Sequence, residues 1–176
     1  MSYLFKSERL GFRNWVADDL APFAAMNVDP RVMEFFPELL TEKESQTLID
    51  NCKTHFDDHG FTFFATCELE NNQFIGLIGL KRVLKNLHIA PTVEIGWRLG
   101  FSFWGKGYAT EGALAMLRMA PSFGIKTVHS FTAAINSRSE NIMIKCGMNH
   151  VGYFEHPMVD KDSKLRPHTL YKIDLI

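Results

Sequence analysis

Short runs of apolar residues, each bounded by turn residues, predict a series of β-strands along the chain. The predicted strands cover residues 9–15, 61–68, 74–84, 92–99, 126–133, 150–155 and 169–175. Along the fourth strand, apolar and polar positions alternate, so that Glu94, Gly96 and Arg98 share one face and apolar side chains take the other. This strand therefore presents a carboxylate beside a residue that has no side chain.

Helical patterns occupy the long interval between the first and second strands. Asp18 is expected to cap a helix that ends near Val28, and the Asp29-Pro30 pair opens a second helix with proline at its first position. A capping box at 41–44 predicts a third helix, which reaches about Asp57.

Two further helices follow the fourth and fifth strands. Residues 106–119 are apolar on nearly all sides, so this helix is expected to lie buried on the sheet until Pro121 helps to end it. The other helix begins with a capping box of Ser137 and Glu140 and ends at Gly147. No linker, repeat or low-complexity segment interrupts the chain, which is expected to form one domain.

A glycine-flanked lysine, Gly105-Lys106-Gly107, precedes the fourth helix. The start of a helix leaves backbone N–H groups unpaired and carries partial positive charge, so it binds phosphate well. Glycine lets such a backbone approach a phosphate without obstruction by a Cβ atom. Taken alone, the tripeptide is also compatible with a tight strand-to-helix turn that carries a solvated lysine.

Three nucleotide-binding motifs compete for this spacing. Residues 100–106 fit the first seven positions of a P-loop, but Gly107 occupies the position of the Ser or Thr that holds magnesium. The dinucleotide fingerprint fails because Thr110 stands at its third glycine position. Residues 104–109 resemble the remaining motif, the pyrophosphate loop (Gln/Arg)-x-x-Gly-x-(Gly/Ala) of the GNAT superfamily of acetyl-CoA-dependent N-acyltransferases. Trp104 replaces the Gln or Arg, as is common in the branch resembling ribosomal-protein N-terminal (alanine) acetyltransferases.

A second block supports this resemblance. Asn136, Ser139, Lys145 and Gly147 match the superfamily's Asn-x-x-Ser…Lys-x-Gly helix in spacing and order, about twenty-five residues after the first block. The resemblance extends over nearly the whole chain. It implies an α/β (α+β) fold, with a mixed, central twisted sheet of about six to seven strands and helices on both faces. It also implies a single N-acetyltransferase domain at 1–176, acetyl-CoA as cosubstrate and no metal.

Glu94 is the best candidate for a general base. The attacking amine must be uncharged, yet a protein α-amino group titrates near ~8 and a lysine near ~10.4. Gly96, on the same strand face, leaves room for a ligand beside the Glu94 carboxylate. An ion pair between Glu94 and Arg98 is the competing interpretation. The resemblance also implies that pantetheine pairs with the backbone of this strand, where an N–H group would stabilise the oxyanion.

The acid side of the reaction is less defined. Many superfamily members carry a tyrosine acid on the last helix, where this chain has Met143. Ser139 is the substitute to test, although a helix-turn hydroxyl is the simpler interpretation. The leaving thiol titrates near ~8.5 and needs little help from an acid.

The remaining site residues form two groups. Acetyl-CoA is expected to contact Trp97, Arg98, Leu99, Trp104, Gly105, Lys106, Gly107, Tyr108, Ala109, Thr110, Asn136, Asn141 and Lys145. The acceptor is expected to contact Phe35, Phe36, His156, Arg166 and His168, with core packing as the alternative for the two phenylalanines. A surface pair, not a metal site, is expected at His55 and His59, because Phe56 replaces the glutamate of the zinc-protease motif.

Composition excludes several function classes. A net charge of −1 gives no reason to expect nucleic acid or an anionic membrane as a partner, and no apolar run approaches a membrane span. Three widely spaced cysteines indicate reduced thiols in a cytoplasmic protein. The expected oligomeric state is a monomer or a homodimer. Two functions stay open: an N-acetyltransferase acting on a protein N-terminus or a small amine, and a catalytically silent acyl-CoA-binding protein.

Overall fold

The computed structural model describes residues 2–85 and 87–175, and within them eight strands form one sheet in the order β1-β2-β3-β4-β5-β6-β8-β7. The strands are β1 (Phe5–Lys6), β2 (Leu10–Arg13), β3 (Phe63–Glu68), β4 (Gln73–Val83), β5 (Thr92–Leu99), β6 (Thr127–Ala133), β7 (Asn149–Glu155) and β8 (Pro167–Asp174). The helices are α1 (Leu20–Asn27), α2 (Glu42–His59), α3 (Tyr108–Met119) and α4 (Ser137–Lys145). The predicted fold class is confirmed, and the sheet exceeds the expected strand number.

Sheet topology divides the strands into two sets. Strands β1 to β5 follow one another as an antiparallel meander, and β6, β8 and β7 form a second antiparallel set. The two sets meet at β5 and β6, which run parallel because α3 crosses over between them. The strand that sequence analysis missed, β1, has only two residues and so carries no readable alternation.

Helices cover both faces of the sheet, as predicted. On one face α1 and α2 pack through Phe23 and Ile49 against Leu77 of β4. On the other face α3 and α4 bury Met116 and Met143 against the apolar side chains of β2, β4 and β5. The polar face of β5 therefore turns toward the α1 and α2 side of the molecule.

Two predicted helix starts are wrong. The Asp29-Pro30 pair opens only turns, because too few residues precede Pro37, which disfavours helical backbone at Phe36. Asp18 does not cap α1, since a 3₁₀ turn over Ala17–Asp19 comes first. The carboxylate of Asp19 accepts the Val16 N–H there at 2.9 Å.

The start of α4 also differs from the prediction. Its cap is Asn136, whose Oδ1 accepts the backbone N–H of Ser139 at 3.2 Å, and not Ser137. Either polar residue suits the pattern, and the backbone conformation decides between them. By contrast, the capping box of Thr41 and Glu44 at α2 and the left-handed Gly147 after α4 are confirmed.

Both ring nitrogens of His55 are engaged by backbone groups. The N–H of Arg82 donates to its Nε2 at 3.0 Å, so Nδ1 carries the proton and donates to the Phe61 carbonyl at 2.7 Å. The predicted His55 and His59 surface pair is therefore partly a structural link between α2 and the sheet. Among residues 2–85 and 87–175 no cluster of three or more metal-ligating side chains occurs, and no helix is long and apolar enough to cross a membrane.

Candidate active site

A gap opens in the sheet where β5 and β6 diverge. Their paired register is limited to Glu94 opposite His129, and the Ser130 hydroxyl donates to the Ile95 carbonyl just beyond it. The carbonyl of Leu99 is taken by the indole N–H of Trp104 at 2.8 Å. Backbone groups alternate in direction along a strand, so the N–H and C=O of Trp97 also point into this gap. An extended ligand can pair with Trp97 there as an added strand would.

The glycine loop, residues 105–107, lies directly ahead of α3. Gly105 and Gly107 both adopt left-handed backbone, with φ of +76° and +81°. A Cβ on Gly105 would extend into open space, and one on Gly107 would meet only the Arg9 side chain at 3.6 Å. The first helical hydrogen bond runs from the Glu111 N–H to the Gly107 carbonyl, so the N–H groups of residues 108–110 remain free for an anion.

Arg9, in the segment before β2, holds the glycine loop in place through hydrogen bonds. Its Nε donates to Glu111 at 2.7 Å, and its Nη1 donates to the Lys106 carbonyl at 3.0 Å. The guanidinium also stacks over the Tyr108 ring at 4.7 Å, while the Tyr108 hydroxyl donates to Glu68. The side chain of Tyr108 is therefore structural, and only its backbone remains available for a phosphate.

Two cavities flank the start of α3. The first, called here the tryptophan cavity, has a volume of about 290 Å³. It is lined by Pro30, Arg31, Glu34, Phe101, Trp104 and Arg138. The second, of about 420 Å³, carries the predicted Lys145 together with Arg9 and Arg118 beside the glycine loop. The first cavity reaches Trp104, directly before the glycine loop, and the second reaches Gly107 and Thr110.

Glu94 sits at the mouth of the gap on the polar face of β5. Burial raises the pKa of its carboxyl to about 7, an increase that the charge of Lys81 opposite it on β4 only partly offsets. The alternative ion pair with Arg98 does not form. Glu94 is therefore a carboxylate poised to gain or lose a proton near neutral pH.

Arg98 is committed to the α1 side of the site. Its Nη1 donates to Asn27 at 2.9 Å, and its guanidinium stacks over the Phe36 ring at 4.0 Å. Burial lowers the pKa of Arg98 to about 10, and its Nε has no hydrogen-bond partner among the described residues. The prediction that Arg98 contacts the cosubstrate is untested, but the side chain anchors the segment that carries the acceptor-wall phenylalanines.

Three of the predicted acceptor residues, Phe35, His156 and His168, lie near one another beside the end of β6. His156 and His168 lie with ring centroids 4.7 Å apart, against Phe131 of β6 and Phe154 of β7. Burial lowers the pKa of both imidazoles, which keeps them neutral near pH 7. Phe35 closes this end by packing on a small cluster of Ala133, Val159 and Leu165.

Arg166 serves this wall indirectly. Its Nε donates to Glu155 at 3.0 Å and its Nη1 donates to the Val159 carbonyl at 3.2 Å. Arg166 therefore links the two ends of the connection between β7 and β8. The predicted contact of Arg166 with an acceptor remains a prediction.

The start of α4 holds the predicted Asn136 and Ser139 close together. Asn136 caps the helix and donates to the Thr132 hydroxyl at 2.9 Å and to the Ser139 hydroxyl at 3.1 Å. Met143 is buried in the main core, so it presents no polar group to the gap. Asn141 lies exposed on α4. These positions leave Ser139 as a hydroxyl near the gap and give Asn136 a mainly structural role.

Several residues of the site gave no signal in the sequence. Arg9 and Arg118 line the cavity beside Gly107, and Arg138 lines the tryptophan cavity. His129 is the register partner of Glu94 only because β5 and β6 pair there. Charged residues on a helix or loop are usually solvated, so the sequence gives no reason to single these residues out. Only the folded chain brings them close to the site.

Comparisons with known proteins agree with this geometry. Residues 9–149 match the family model described as an acetyltransferase (GNAT) domain. Over 136 residues the chain is 33% identical to the FsC-acetyl coenzyme A-N(2)-transacetylase of Aspergillus fumigatus, covering 73% of this chain and 57% of that protein's length. The chain thus spans little more than half of that relative.

Solved structures show the same fold. The GNAT acetyltransferase of Bacillus anthracis superposes with a TM-score of 0.80 at 23% identity, covering 96% of both chains. RimL, a ribosomal L7/L12 alpha-N-protein acetyltransferase solved with coenzyme A, superposes with a TM-score of 0.79 at 13% identity, covering 99% of this chain and 98% of the other. With the family model spanning most of its length, this chain belongs to the GNAT family of acetyltransferases.

Proposed function

We propose that this acetyltransferase moves the acetyl group of acetyl-CoA to a primary amine, either a protein N-terminus or a small amine, by direct attack in a ternary complex. The observation that carries the proposal is Glu94, a carboxylate with a pKa raised to about 7 at the mouth of the gap between β5 and β6. Such a group accepts a proton from an amine at neutral pH far better than a solvated glutamate does.

The chain's own groups account for each step. The free N–H groups at the start of α3 and the left-handed glycines suit the pyrophosphate of the cosubstrate, and the Trp97 backbone suits the pantetheine arm. The amine nitrogen bonds to the thioester carbonyl carbon while Glu94 takes the proton of the amine, directly or through water. The carbon–sulfur bond then breaks, and the thiolate departs.

Two kinds of acceptor fit the neutral aromatic wall. The wall combines uncharged imidazoles with Phe131 and Phe154, so it suits an amine on an apolar or peptide framework better than a polycation. Two relatives carry names that span this range: RimL acts on a protein N-terminus, and the Aspergillus fumigatus enzyme is an N(2)-transacetylase. The acceptor proposed here is therefore an unhindered amine beside an apolar group.

Release of free thiol from acetyl-CoA tests the proposal. The protein should release thiol with a panel of peptides bearing free N-termini or with small amines, and should release none with the same peptides after N-acetylation. Calorimetry with CoA separates the alternatives. If the protein binds CoA but releases thiol with none of the acceptors, the catalytically silent protein is favoured. No CoA binding at all would remove the proposed function.

Ser139→Ala should reduce turnover by about tenfold or less. A thiol that titrates near ~8.5 is already a fair leaving group, so an acid contributes little. The matched variant is Asn136→Ala, which removes the helix cap and should lower stability and CoA affinity more than the rate of the acetyl-transfer step. The measurement is pre-steady-state thiol release at saturating acetyl-CoA. A thousandfold loss in Ser139→Ala at unchanged affinity would make Ser139 the general acid.

A further inference from the structure

Trp104 occupies the position at which the family's phosphate loop carries Gln or Arg, and the structure shows what stands there instead. The guanidinium of Arg138, from the first turn of α4, lies over the Trp104 ring with its Cζ 4.9 Å from the ring centroid. Helix α4, which begins more than thirty residues later in the chain, thereby places a positive charge against Trp104, the first residue of the phosphate-loop motif. Trp104 thus stands where the family has Gln or Arg, and its ring packs against the Arg138 guanidinium, which supplies a positive charge nearby.

The two arginines of the tryptophan cavity are held in different ways. Arg31 stacks over Phe101 at 3.9 Å, and its guanidinium is bound by Asp29, two residues away, at 2.6 Å and 2.9 Å. Arg138 is paired with Glu34, which reaches it across the cavity from the segment after α1. Arg31 is thus neutralised locally, whereas the partner of Arg138 belongs to another part of the chain.

The pair of Glu34 and Arg138 is solvent-exposed, with 50% and 54% of the two side chains accessible. Exposed ion pairs contribute between about 0.2 and 1 kcal/mol. Arginine binds phosphate bidentately and with shorter, stronger hydrogen bonds than it makes to neutral groups. A phosphate that enters the tryptophan cavity, beside Trp104 and directly ahead of the glycine loop, can therefore replace the glutamate at little cost.

We propose that Arg138 is a phosphate-binding residue for CoA, taking the place of the residue that Trp104 displaces, and that the CoA pyrophosphate exchanges with Glu34 for its guanidinium. The inference rests on the proposed use of acetyl-CoA and adds to it a named cation and a named internal competitor. Because Glu34 lies next to Phe35, which packs at the acceptor end of the gap, the exchange also links the cosubstrate site to the acceptor wall.

Two variants that should change CoA affinity in opposite directions test the proposal. Arg138→Met should weaken CoA about tenfold, the loss of one charged hydrogen-bonding contact. Glu34→Gln should tighten CoA by about two- to fivefold, because it removes the competitor. Both shifts should be the same for dephospho-CoA, which keeps the pyrophosphate and lacks the 3′-phosphate. Calorimetry at low ionic strength measures six dissociation constants, those of the parent and the two variants with each of the two ligands.

Lys43→Met, at an exposed site on α2, serves as the control for a change of one charge and should leave CoA affinity within about twofold. Thermal melting checks that both variants fold. If Glu34→Gln weakens CoA as Arg138→Met does, the pair is only a structural tie and the proposal is overturned. A loss confined to CoA, absent with dephospho-CoA, overturns the pyrophosphate assignment. A parent protein that binds no CoA fails the proposed function itself, whatever the variants do.

Discussion

Glu94→Gln should slow acetyl transfer at pH 7 by about a hundredfold, within the usual range for removal of a general base. The raised pKa of about 7 places the parent's loss of activity below neutral pH, where the carboxylate takes up a proton. The deficit of the variant should shrink as the pH rises past ~8, because an α-amino acceptor then deprotonates by itself. The measurement is kcat/KM against pH for both proteins. Parallel profiles would remove Glu94 from the base role.

Glu94→Gln should also change the melting temperature of the protein in a way that depends on pH, which tests the raised pKa independently of activity. The folded-state pKa of Glu94 lies above its ordinary value of 4.5, so its contribution to stability is full below about pH 4.5 and is lost as the pH rises through about 7. Glutamine carries no charge to desolvate. Glu94→Gln should therefore melt at a higher temperature than the parent at pH 8 and at a similar temperature near pH 4.5. A lower melting temperature at pH 8 would indicate a structural ion-pair role instead.

Gly107→Val should weaken CoA binding by about a hundredfold, because the branched side chain would occupy the approach of the phosphate to the N–H groups of α3. Lys106→Ala, which removes a solvent-exposed charge, should cost only a few-fold. Calorimetry with CoA measures both losses.

Gly124 offers a matched control for backbone strain. Its φ of +74° resembles the +81° of Gly107, and a Cβ there meets nothing within 4 Å, whereas one on Gly107 meets only the Arg9 side chain at ordinary contact distance. Gly124 lies after α3, at the opposite end from the glycine loop. Valine at either position pays the same left-handed penalty. Gly124→Val should lower the melting temperature and leave CoA affinity intact. Equal affinity losses in the two variants would mean that strain, and not obstruction, explains Gly107→Val.

The features that could be predicted from the sequence are those determined by neighbouring residues. Alternation along β5 placed Glu94 and Gly96 on one face because strand geometry repeats every two residues. The glycine loop was predicted for a similar reason, since left-handed backbone followed by a helix start is a local property of residues 105–108. The helix itself begins at Tyr108, later than expected, because Gly107 is its cap.

The failures arise where distant parts of the chain decide the outcome. The Asp29-Pro30 pair has a good helix start, but Pro37 leaves it little room, and contacts of Phe36 with Arg98 and of Glu34 with Arg138 hold the segment against distant parts of the chain. The ion pair of Glu94 with Arg98, which was the competing interpretation, was reasonable on spacing, but Asn27 of α1 accepts a hydrogen bond from the guanidinium instead. Local propensity cannot anticipate such partners, because they become neighbours only after the sheet forms.

The narrow junction between β5 and β6 has a consequence for how the protein opens. Strands β1–β5 pair in register among themselves, and so do β6, β8 and β7, while among the described residues Glu94 opposite His129 is the one register pair that joins the two sets. Amide protons on either side of the gap should therefore exchange with solvent as two separate cooperative units. A cosubstrate that fills the gap would supply the backbone hydrogen bonds that β5 and β6 do not make to each other. It should therefore merge the two units into one and slow the exchange of amide protons well beyond the residues that it contacts.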